Sequence, residues 1–557
     1  METEEIRDDV VSLPKNDEES AQTGSLKRKT NPPIFRLPLE IIAQIFGYCV
    51  PSQHSEHKKL QWLSFTHVCR AWRSIALNDG SLWTCIRLNY HNLAKAMFER
   101  SKSSVLDVEI SWLFHSTRPN ERHLLGEVQR QLHRIRHLRL YLAAGAREDN
   151  KPNIYFLSQL SQPAPLLRLL HITGNDFTLP ANLLGGEAPL LTHLQLGSCF
   201  LSWSSPLLAN LIHFELHGPG HINIPTPEQL LDVLRAMPLL ETLCLVRMLP
   251  KHIPRSEDIQ LSKLHTLSLA GDLSGCDGLL SNLVFPETTT FSLECDVEVE
   301  DTSSFESLIS HFPRIFLAKP SLADTRGEDL RGTKTMCIDL EDDYRTARVV
   351  IDAWNRAIPV DLQEHSMYME ELPPCIRLML RWDHQALSDV EEDLEHIFGS
   401  LPMGSVETLH MQCSGLDREE DDTHILVRCL GDLPFISPNL ETIVVAGNDL
   451  VYRLSCVFQV LDYVDVSTSP PTLAFPALRS LVLLSGTAGC WSRFESTDMT
   501  ELLHMLRHRL QLKGKRLEVL AARGYRQLDA DEVRLLNEVV GELKDAPDPV
   551  DVDNAWY

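Results

Sequence analysis

A short apolar pattern recurs along most of the chain: an apolar residue, two others, a second apolar residue, one other, and a third apolar residue. In each copy a single residue separates the last two apolar positions, which predicts a short strand whose alternate side chains point into a shared core. One copy cannot bury its own apolar face, so the copies should stack on one another as a solenoid. The copies with an apolar first residue begin at Trp83, Val105, Ile135, Leu167, Leu191, Leu211, Leu240, Leu264, Val406, Leu440, Leu478 and Leu517.

The spacing between copies is irregular. Copies that lie 24 residues apart, such as those at Leu167 and Leu191, fit one strand and one helix or turn per repeat. Longer gaps should contain additional helices, for example Pro227–Leu234, which opens with proline and an acidic residue. Between residues 288 and 380 the copies have only polar or cysteine first residues. Either the array continues there with long insertions, or it breaks into two arrays.

The apolar residues near the N-terminus follow a helical spacing instead. Pro38 and Glu40 suit the first turn of a helix. One apolar stripe behind them is formed by Ile41, Ile42, Ile45 and Phe46. After a polar stretch, Ser52–Lys59, a second helix face is formed by Val68, Trp72, Ile75 and Ala76. So short a segment buries little core of its own, so these helices either pack on the following segment or offer apolar surface to a partner.

Three blocks of this segment, Leu37–Phe46, Val68–Arg73 and Leu82–Trp83, together resemble an F-box of the F-box-like type common in fungal proteins. In that family a three-helix module docks on the Skp adaptor of a Skp–cullin–F-box ubiquitin ligase. The resemblance places Val68, Cys69 and Trp72 in the third helix and leaves the middle helix open, because the polar stretch is longer than the turn of a compact F-box. The adaptor-binding residues that it implies, some contacting the adaptor and others holding the module together, are Leu37, Pro38, Ile41, Ile42, Ile45, Phe46, Val68, Cys69 and Trp72.

The order of an F-box followed by a solenoid belongs to the same resemblance, because irregular leucine-rich repeats follow F-boxes in many fungal proteins. In such repeats a polar or thiol side chain, three positions after the last apolar residue, satisfies backbone groups at the turn after the strand. Asn175, Cys199 and Asn448 occupy that position, and Asp272 falls at the same place. The expected fold class is therefore α/β: a small N-terminal three-helix F-box followed by an irregular leucine-rich-repeat solenoid of parallel strands with helices or turns.

We expect four segments along the chain. They are a disordered, acidic and polar N-terminus over residues 1–30, the F-box-like domain over 33–83, the solenoid over 84–528, and a C-terminal cap helix with an acidic tail over 529–557. The cap helix should lie near Asp529–Leu543 and follow another helix at Glu501–Leu512. The basic triplet Lys27–Lys29 is either a nuclear-import signal or part of a charged linker.

Composition narrows the classes of function. The 557 residues include 52 Lys and Arg against 77 Asp and Glu, which gives a formal net charge of −25. So acidic a chain is poorly suited to nucleic acid or to an anionic membrane surface as a partner. No stretch reaches the roughly 18 consecutive apolar residues of a membrane helix. The thirteen cysteines lie far apart without CxxC spacing, which favours reduced, packed thiols. We therefore expect a soluble protein of the cytoplasm, the nucleus or both.

Sequence signatures of catalysis are missing. The chain has no GxxxxGK(S/T) phosphate loop, no GxGxxG after a strand and no GxSxG elbow. His504 and His508 have the spacing of metal ligands on a helix, but Met505 stands where the accompanying glutamate would be. The carboxylate runs at 391–393 and 419–422 lack the glycine turn of a calcium loop. We expect no catalytic residue, no cofactor and no metal ion.

Two functions of different class fit these features. In the first, the chain is a non-catalytic substrate receptor: the F-box binds the Skp adaptor and through it a cullin, while the concave strand face of the solenoid binds a protein target. Its contribution would be proximity between the target and the ubiquitin-conjugating enzyme. In the second, the chain is a ligase-independent interaction scaffold whose F-box-like helices cap the first repeat. The unusually long polar stretch Ser52–Lys59 is the feature that supports this second function. The net charge favours a basic target if the negative charge lies on the concave face.

Overall fold

The structure is a computed structural model. It describes residues 33–49, 61–88, 90–113, 119–143, 151–219, 223–298, 302–317, 332–342, 346–358, 373–383, 385, 390–414, 437–446, 454–465, 472–484, 496–523 and 530–545. Several predicted features lie outside the described residues, namely the segment 1–30 with its basic triplet, the polar stretch Ser52–Lys59, Asn448 and the tail from 546 onward. The chain divides into two compact units, Met1–Leu82 and Trp83–Tyr557.

Short α-helices form most of the described part of the first unit. Their bounds are α1 Leu39–Cys49, α2 Phe65–Val68 and α3 Arg70–Asn78. α1 begins one residue after Pro38, whose carbonyl oxygen accepts hydrogen bonds from the amides of Ile41 and Ile42. Glu40 lies in the first turn, where a negative charge interacts favourably with the helix dipole. The middle helix, which the sequence left open, is a single α-helical turn that follows a 3-10 turn at Gln61–Ser64.

The prediction that Val68 and Cys69 belong to the third helix is wrong. Cys69 has an extended backbone (φ −158°, ψ 169°), so α2 ends at Val68 and α3 begins at Arg70. The Cys69 Sγ accepts a hydrogen bond from the amide of Trp72 at 3.5 Å and thereby caps α3. Helix N-caps are usually Ser, Thr, Asp or Asn, so a cysteine in this role gave no signal in the sequence.

Strands arranged mainly in one sheet form the core of the second unit. Their bounds are β1 Cys85–Arg87, β2 Leu106–Leu113, β3 Ile135–Ala143, β4 Leu169–Thr178, β5 His193–Phe200, β6 His213–His217, β7 Thr242–Val246, β8 Ile259–Gln260, β9 Thr266–Asp272, β10 Leu283–Val284, β11 Thr290–Asp296, β12 Thr335–Asp342, β13 Thr346–Trp354, β14 Ile376–Asp383, β15 Thr408–Ser414, β16 Thr442–Ala446, β17 Val464–Asp465, β18 Thr472–Leu473, β19 Ser480–Leu484, β20 Leu517–Arg523 and β21 Val540–Asp545. Strands β8 and β10 form a small parallel pair, and β17 and β18 a small antiparallel pair. The other 17 strands form the main sheet.

The main sheet follows the repeat pattern of the sequence. From β1 to β11, each strand of the main sheet pairs in parallel with the next one along the chain. The strands β15, β16, β19, β20 and β21 pair in the same way. The apolar positions of the pattern are buried, as Leu194 and Leu196 of β5 illustrate. The stacked array of parallel strands that the pattern predicts is confirmed.

The region between 288 and 380 continues the main sheet with one reversal. Strand β13 runs antiparallel to both of its neighbours, and the strands lie side by side in the order β11, β14, β13, β12, β15. Strand β13 alternates buried and half-buried residues. Thr346, Val349 and Ile351 match the repeat pattern with a polar first residue, like the other copies of this region. Of the two alternatives for this region, the structure therefore has the continuous array with an inserted strand.

Helices lie between many of the strands of the second unit. Their bounds are α4 His91–Arg100, α5 Pro119–Gln131, α6 Lys151–Gln159, α7 Pro227–Arg235, α8 Leu273–Leu280, α9 Thr302–Ser310, α10 Phe312–Leu317, α11 Glu391–Ser400, α12 Leu454–Leu461, α13 Ser496–Lys513 and α14 Ala530–Val539. The predicted helix at Pro227–Leu234 is α7, which begins with a capping box between Thr226 and Gln229. The predicted helix at Glu501–Leu512 lies within α13.

The polar position of the repeat is used differently in β5 and β9. The Cys199 Sγ donates a hydrogen bond at 3.3 Å to the carbonyl oxygen of Ile172 in the neighbouring repeat. Asp272 differs, because it precedes α8 without a hydrogen bond from its side chain to that helix. The thiol thus satisfies a carbonyl group of the neighbouring strand β4, and not a backbone group of a turn after the strand as the sequence predicted.

The C-terminal end of the array extends beyond its predicted boundary. The predicted helix near Asp529–Leu543 ends at Val539, and Val540–Asp545 is strand β21, which pairs in parallel with β20. The array therefore does not end at residue 528. The segment Val540–Asp545 is short and polar and lacks the full repeat pattern, so pairing with β20 rather than local periodicity determines its strand conformation.

Candidate functional site

An apolar surface on the first unit is the most distinctive feature of its helices. We call the exposed side chains of Leu37, Leu39, Ile41, Ile45 and Tyr48 the α1 face. Their exposed fractions are 38%, 60%, 39%, 37% and 91%. Ile41, Ile45 and Tyr48 recur at spacings of four and three residues, so they form one stripe along the helix. Five large apolar side chains exposed within twelve residues are unusual for a monomeric surface, which makes the α1 face a candidate interaction site.

The opposite side of α1 holds the three helices together. Ile42 and Phe46 are 2% and 1% exposed. The Phe46 ring stacks on Phe65 with centroids 4.5 Å apart and meets Trp72 edge to face at 5.0 Å. Aromatic pairs in these geometries add to the free energy gained from burial. Contacts from α1 to α2 and α3 through Phe46 therefore fix the direction in which the α1 face points.

The residues that the sequence predicted for adaptor binding fall into three groups in the structure. Leu37, Pro38, Ile41, Ile45 and Val68 are exposed; Ile42 and Phe46 are buried; and Cys69 and Trp72 are half-buried. Sequence reasoning missed Leu39 and Tyr48. Tyr48 had a signal, since it lies seven residues after Ile41 and three after Ile45 on the same helix stripe.

A second candidate surface belongs to the main sheet. We call the side of the main sheet that carries the residues between the buried repeat positions the polar sheet face. Its character changes along the array in four sectors. The histidine sector contains His137, His171, His193, His213 and His217 on β3–β6. Threonine and serine follow on β7–β11, then charged residues on β11–β15, and finally Val444, Val482 and Ala521, which are buried.

Ion pairs connect the strands of the charged sector. Arg381 lies 2.6 Å from Asp296, and Arg348 pairs with Glu341. The Arg377 guanidinium donates two hydrogen bonds of 2.8 Å to the Asp352 carboxylate. Asp339 lies among these groups on β12. Desolvation, together with the nearby carboxylate of Glu341, raises its pKa to about 6.

Replacing Asp339 by asparagine should stabilise the array at neutral pH. The folded chain keeps this proton up to about pH 6, whereas the unfolded chain releases it near pH 4, so stability falls as the pH rises between these values. After allowance for solvent screening, we expect Asp339→Asn to raise the free energy of unfolding by about 1 kcal/mol at neutral pH. Urea denaturation of the full chain, followed by circular dichroism at neutral and acidic pH, measures this difference.

The more exposed Asp383 provides the matched control, since it lies at the end of β14, two strands away from β12 in the same sector. Asp383→Asn should give no gain at neutral pH. At acidic pH, where Asp339 is protonated in the wild type, Asp339→Asn should match the wild type. A variant less stable than the wild type at neutral pH would show that the Asp339 carboxylate stabilises the array.

The described residues offer little for catalysis or metal binding. His504 and His508 both face Asp462, with Nδ1 of His508 2.7 Å from a carboxylate oxygen. Among the residues that the structure describes, no group of three or more His, Cys, Asp or Glu could hold a metal ion. Burial raises the pKa of both Cys199 and Cys337 to about 12, so these thiols are not poised as nucleophiles. None of the described helices is both long and apolar enough to cross a membrane.

Comparisons with known proteins bear on the first unit. Residues 34–89 match the family model described as F-box-like, which covers the blocks on which the resemblance rested. No curated protein matches the sequence significantly. Among solved structures, a leucine-rich repeat-containing protein from Legionella pneumophila is 13% identical and has a TM-score of 0.21, over 69% of this chain and 93% of that one. This TM-score is too low to bear on the fold, which the strand pairing of the chain itself establishes.

Proposed function

We propose that this chain, an F-box-like domain followed by a leucine-rich-repeat array, is the substrate-recognition subunit of a Skp–cullin–F-box ubiquitin ligase. The observation that carries the proposal is the α1 face, which lies within the segment that matches the F-box-like family model. F-box domains generally bind Skp adaptors. An adaptor groove would cover the apolar side chains that the first unit leaves in solvent.

The residues of α1 divide into buried ones that hold the helices together and exposed ones that are available to a partner. Ile42 and Phe46 are used inside the helical module, so they cannot also line a docking surface without unfolding it. The exposed Leu37, Ile41 and Ile45 remain available to a partner. Apolar side chains at spacings of four and three residues on one helix are the usual anchors of a helix in an apolar groove.

The second unit would hold the protein to be ubiquitinated. Its polar sheet face is continuous over many strands, and its successive sectors differ in charge and polarity, as selective recognition of a protein requires. The receptor itself performs no chemistry in this proposal. It raises the effective concentration of target lysines near the conjugating enzyme that the adaptor and the cullin bring, in the cytoplasm, the nucleus or both.

Co-purification tests the proposal. The full chain is co-expressed with a Skp-type adaptor, and the complex is isolated through a tag on the adaptor and analysed by size-exclusion chromatography. We expect a stoichiometric complex. A wild-type chain with the circular dichroism of a folded protein that does not co-purify with the adaptor would overturn the proposal. The ligase-independent scaffold would then be the better description, and partner capture on the full chain would follow.

A further inference from the structure

We propose that the histidine sector of the polar sheet face binds an acidic segment of the target, and that this binding strengthens as the pH falls. The inference rests on the proposed function in one respect, that the polar sheet face is where the target binds. It adds the chemical class of the segment bound and a dependence on protonation. Neither the adaptor nor the α1 face enters the argument.

Strand pairing brings the imidazole rings into one patch. His171 lies beside Gln195, and His193 lies directly opposite His213 on the next strand. The His193 and His213 rings stack with centroids 5.5 Å apart and an angle of 18° between their planes. His217 follows two residues after Glu215, and its Nε2 is 3.7 Å from the Cys244 Sγ. Side chains that face one another across parallel strands in this way present a single surface to a ligand.

Fixed charges around the patch nearly cancel. The arginines and carboxylates that face it are Arg87, Arg136, Arg139, Asp107, Glu109, Glu215 and Glu241. Several of them are already paired: Arg87 lies 3.1 Å from Glu109, and Asp107 lies within 3.1 Å of both Arg136 and His137. With neutral imidazoles the patch has little net charge, so protonation of the histidines decides its sign.

Two imidazoles have a nitrogen available to a ligand. His193 uses Nδ1 with the hydroxyl of Thr192 at 2.9 Å, and His171 uses Nε2 with the hydroxyl of Thr173 at 3.0 Å. Within the described part of the chain, no hydrogen bond reaches Nε2 of His193 or Nδ1 of His171. Once protonated, each of these nitrogens would donate a charge-assisted hydrogen bond to a carboxylate oxygen.

The patch already contains one imidazole–carboxylate contact of this kind. Nε2 of His213 lies 2.7 Å from Oε1 of Glu215, and this hydrogen bond lowers the pKa of the Glu215 carboxyl group. An incoming carboxylate beside His193 would reproduce the same chemistry on the next strand. The contact between His213 and Glu215 thus shows that the geometry of the sheet brings the two groups within hydrogen-bond distance.

The direction of the pH dependence follows from the state of the histidines before binding. Desolvation, and after it the charge of Arg139, lowers the pKa of His171; desolvation and the neighbouring His213 and His137 lower that of His193. Glu215 opposes the shift at His171, and Glu241 opposes it at His193. Before binding, the His171 and His193 rings are therefore mainly neutral near pH 7. A bound carboxylate favours the protonated rings, so the complex binds more protons than its separated parts and forms more readily at lower pH.

Charge elsewhere makes the histidine sector selective. The chain as a whole has a net charge of −25, and the charged sector carries Asp296, Asp339, Glu341, Asp352 and Asp383 around three arginines. An acidic segment would be repelled there, whereas the histidine sector attracts it once protonated. The expectation from the sequence that the target is basic therefore does not extend to the histidine sector, where the negative charge is not concentrated.

A peptide titration tests the inference. The probe is a short fluorescein-labelled peptide in which Asp and Glu alternate with Gly, and its binding to the full chain is measured by fluorescence anisotropy at constant ionic strength. We expect affinity about tenfold higher at about pH 6 than at about pH 7.5, since one or two histidines gain protons in the complex. The triple variant H171Q/H193Q/H213Q should lose this increase, and the single variant H193Q should lose part of it.

Histidines outside the polar sheet face provide the matched control. His133, His252 and His504 are exposed and lie outside the strands of the main sheet, and their triple replacement by glutamine changes the same number of imidazoles. The control variant should keep the full increase. Absence of binding at both pH values, affinity independent of pH, or equal losses in the two triple variants would overturn the inference.

The peptide titration and the adaptor co-purification test the two proposals independently. Co-purification of H171Q/H193Q/H213Q with the Skp-type adaptor should equal that of the wild type, because the α1 face is unchanged. A chain that binds the acidic peptide with the expected pH dependence but fails to bind the adaptor would overturn the ligase proposal alone. Adaptor binding without pH-dependent peptide binding would overturn the inference alone.

Discussion

Replacing Ile41 and Ile45 together by aspartate should weaken binding of the Skp-type adaptor by about a hundredfold or more, while the helices of the first unit stay folded. Both side chains are more than a third exposed, so the carboxylates remain hydrated in the unbound chain. On docking they would have to leave water for an apolar groove, which is costly for a charged group without a partner. Biolayer interferometry with immobilised adaptor measures the loss of affinity.

Leucine substitutions at Ile41 and Ile45 provide the control for the double aspartate variant. Ile41→Leu with Ile45→Leu keeps an apolar surface of the same volume and should bind the adaptor within a few-fold of the wild type. Circular dichroism of both variants should match that of the wild type. Adaptor binding that survives the double aspartate variant would show that the α1 face is not the docking surface.

Phe46→Ala should destabilise the helices of the first unit by about 3–5 kcal/mol, the range for removing a buried aromatic side chain. The Phe46 ring is 1% exposed and contacts both Phe65 and Trp72, so its removal leaves a cavity at the point where the three helices meet. Hydrogen exchange of the full chain, read out by mass spectrometry on peptides from α1 and α3, reports the loss as faster exchange. Peptides from the main sheet should exchange as in the wild type.

Ile45→Ala provides the comparison on the same helix. Ile45 is 37% exposed, so truncating it should change the stability of the first unit by less than about 1 kcal/mol. Phe46→Ala should also reduce adaptor binding, but only together with the loss of protection, whereas the double aspartate variant should lose binding alone. Unchanged exchange of α1 in Phe46→Ala would show that the aromatic cluster does not hold the helices together.

These two experiments distinguish apolar residues of α1 that contact a partner from those that hold the helices together, a distinction that the sequence does not make. Ile41, Ile42, Ile45 and Phe46 form one apolar run at helical spacing, and nothing in that run distinguishes a side chain that faces α3 from one that faces solvent. Ile42 would have been a misleading choice for a charged substitution, because its burial means that an aspartate there would unfold the module instead of blocking a partner. The side of α1 on which α2 and α3 pack determines which of these apolar side chains are buried and which are exposed.

Most strands of the array could be predicted from the sequence, because the apolar pattern that produces each strand spans only a few residues. Each single copy of the repeat predicts a strand with two buried positions separated by one residue. Stacking of the copies follows because one copy alone cannot bury its apolar face. The helix at Pro227 was predictable for the same reason, since its capping box joins Thr226 and Gln229, which lie three positions apart. The F-box-like segment was recognised from its three blocks taken together.

Features that depend on distant parts of the chain needed the tertiary structure. Strand β21 lacks the full repeat pattern, and its conformation depends on pairing with β20. The reversed direction of β13 likewise depends on its antiparallel pairing with β12 and β14. The histidine sector is invisible along the sequence, since His171, His193 and His213 lie about twenty residues apart and meet only through the register of the sheet. The sequence thus determined which elements form, because periodicity acts over a few residues. The fold decided which side chains share a surface, because contacts between strands and helices join residues that the chain keeps far apart.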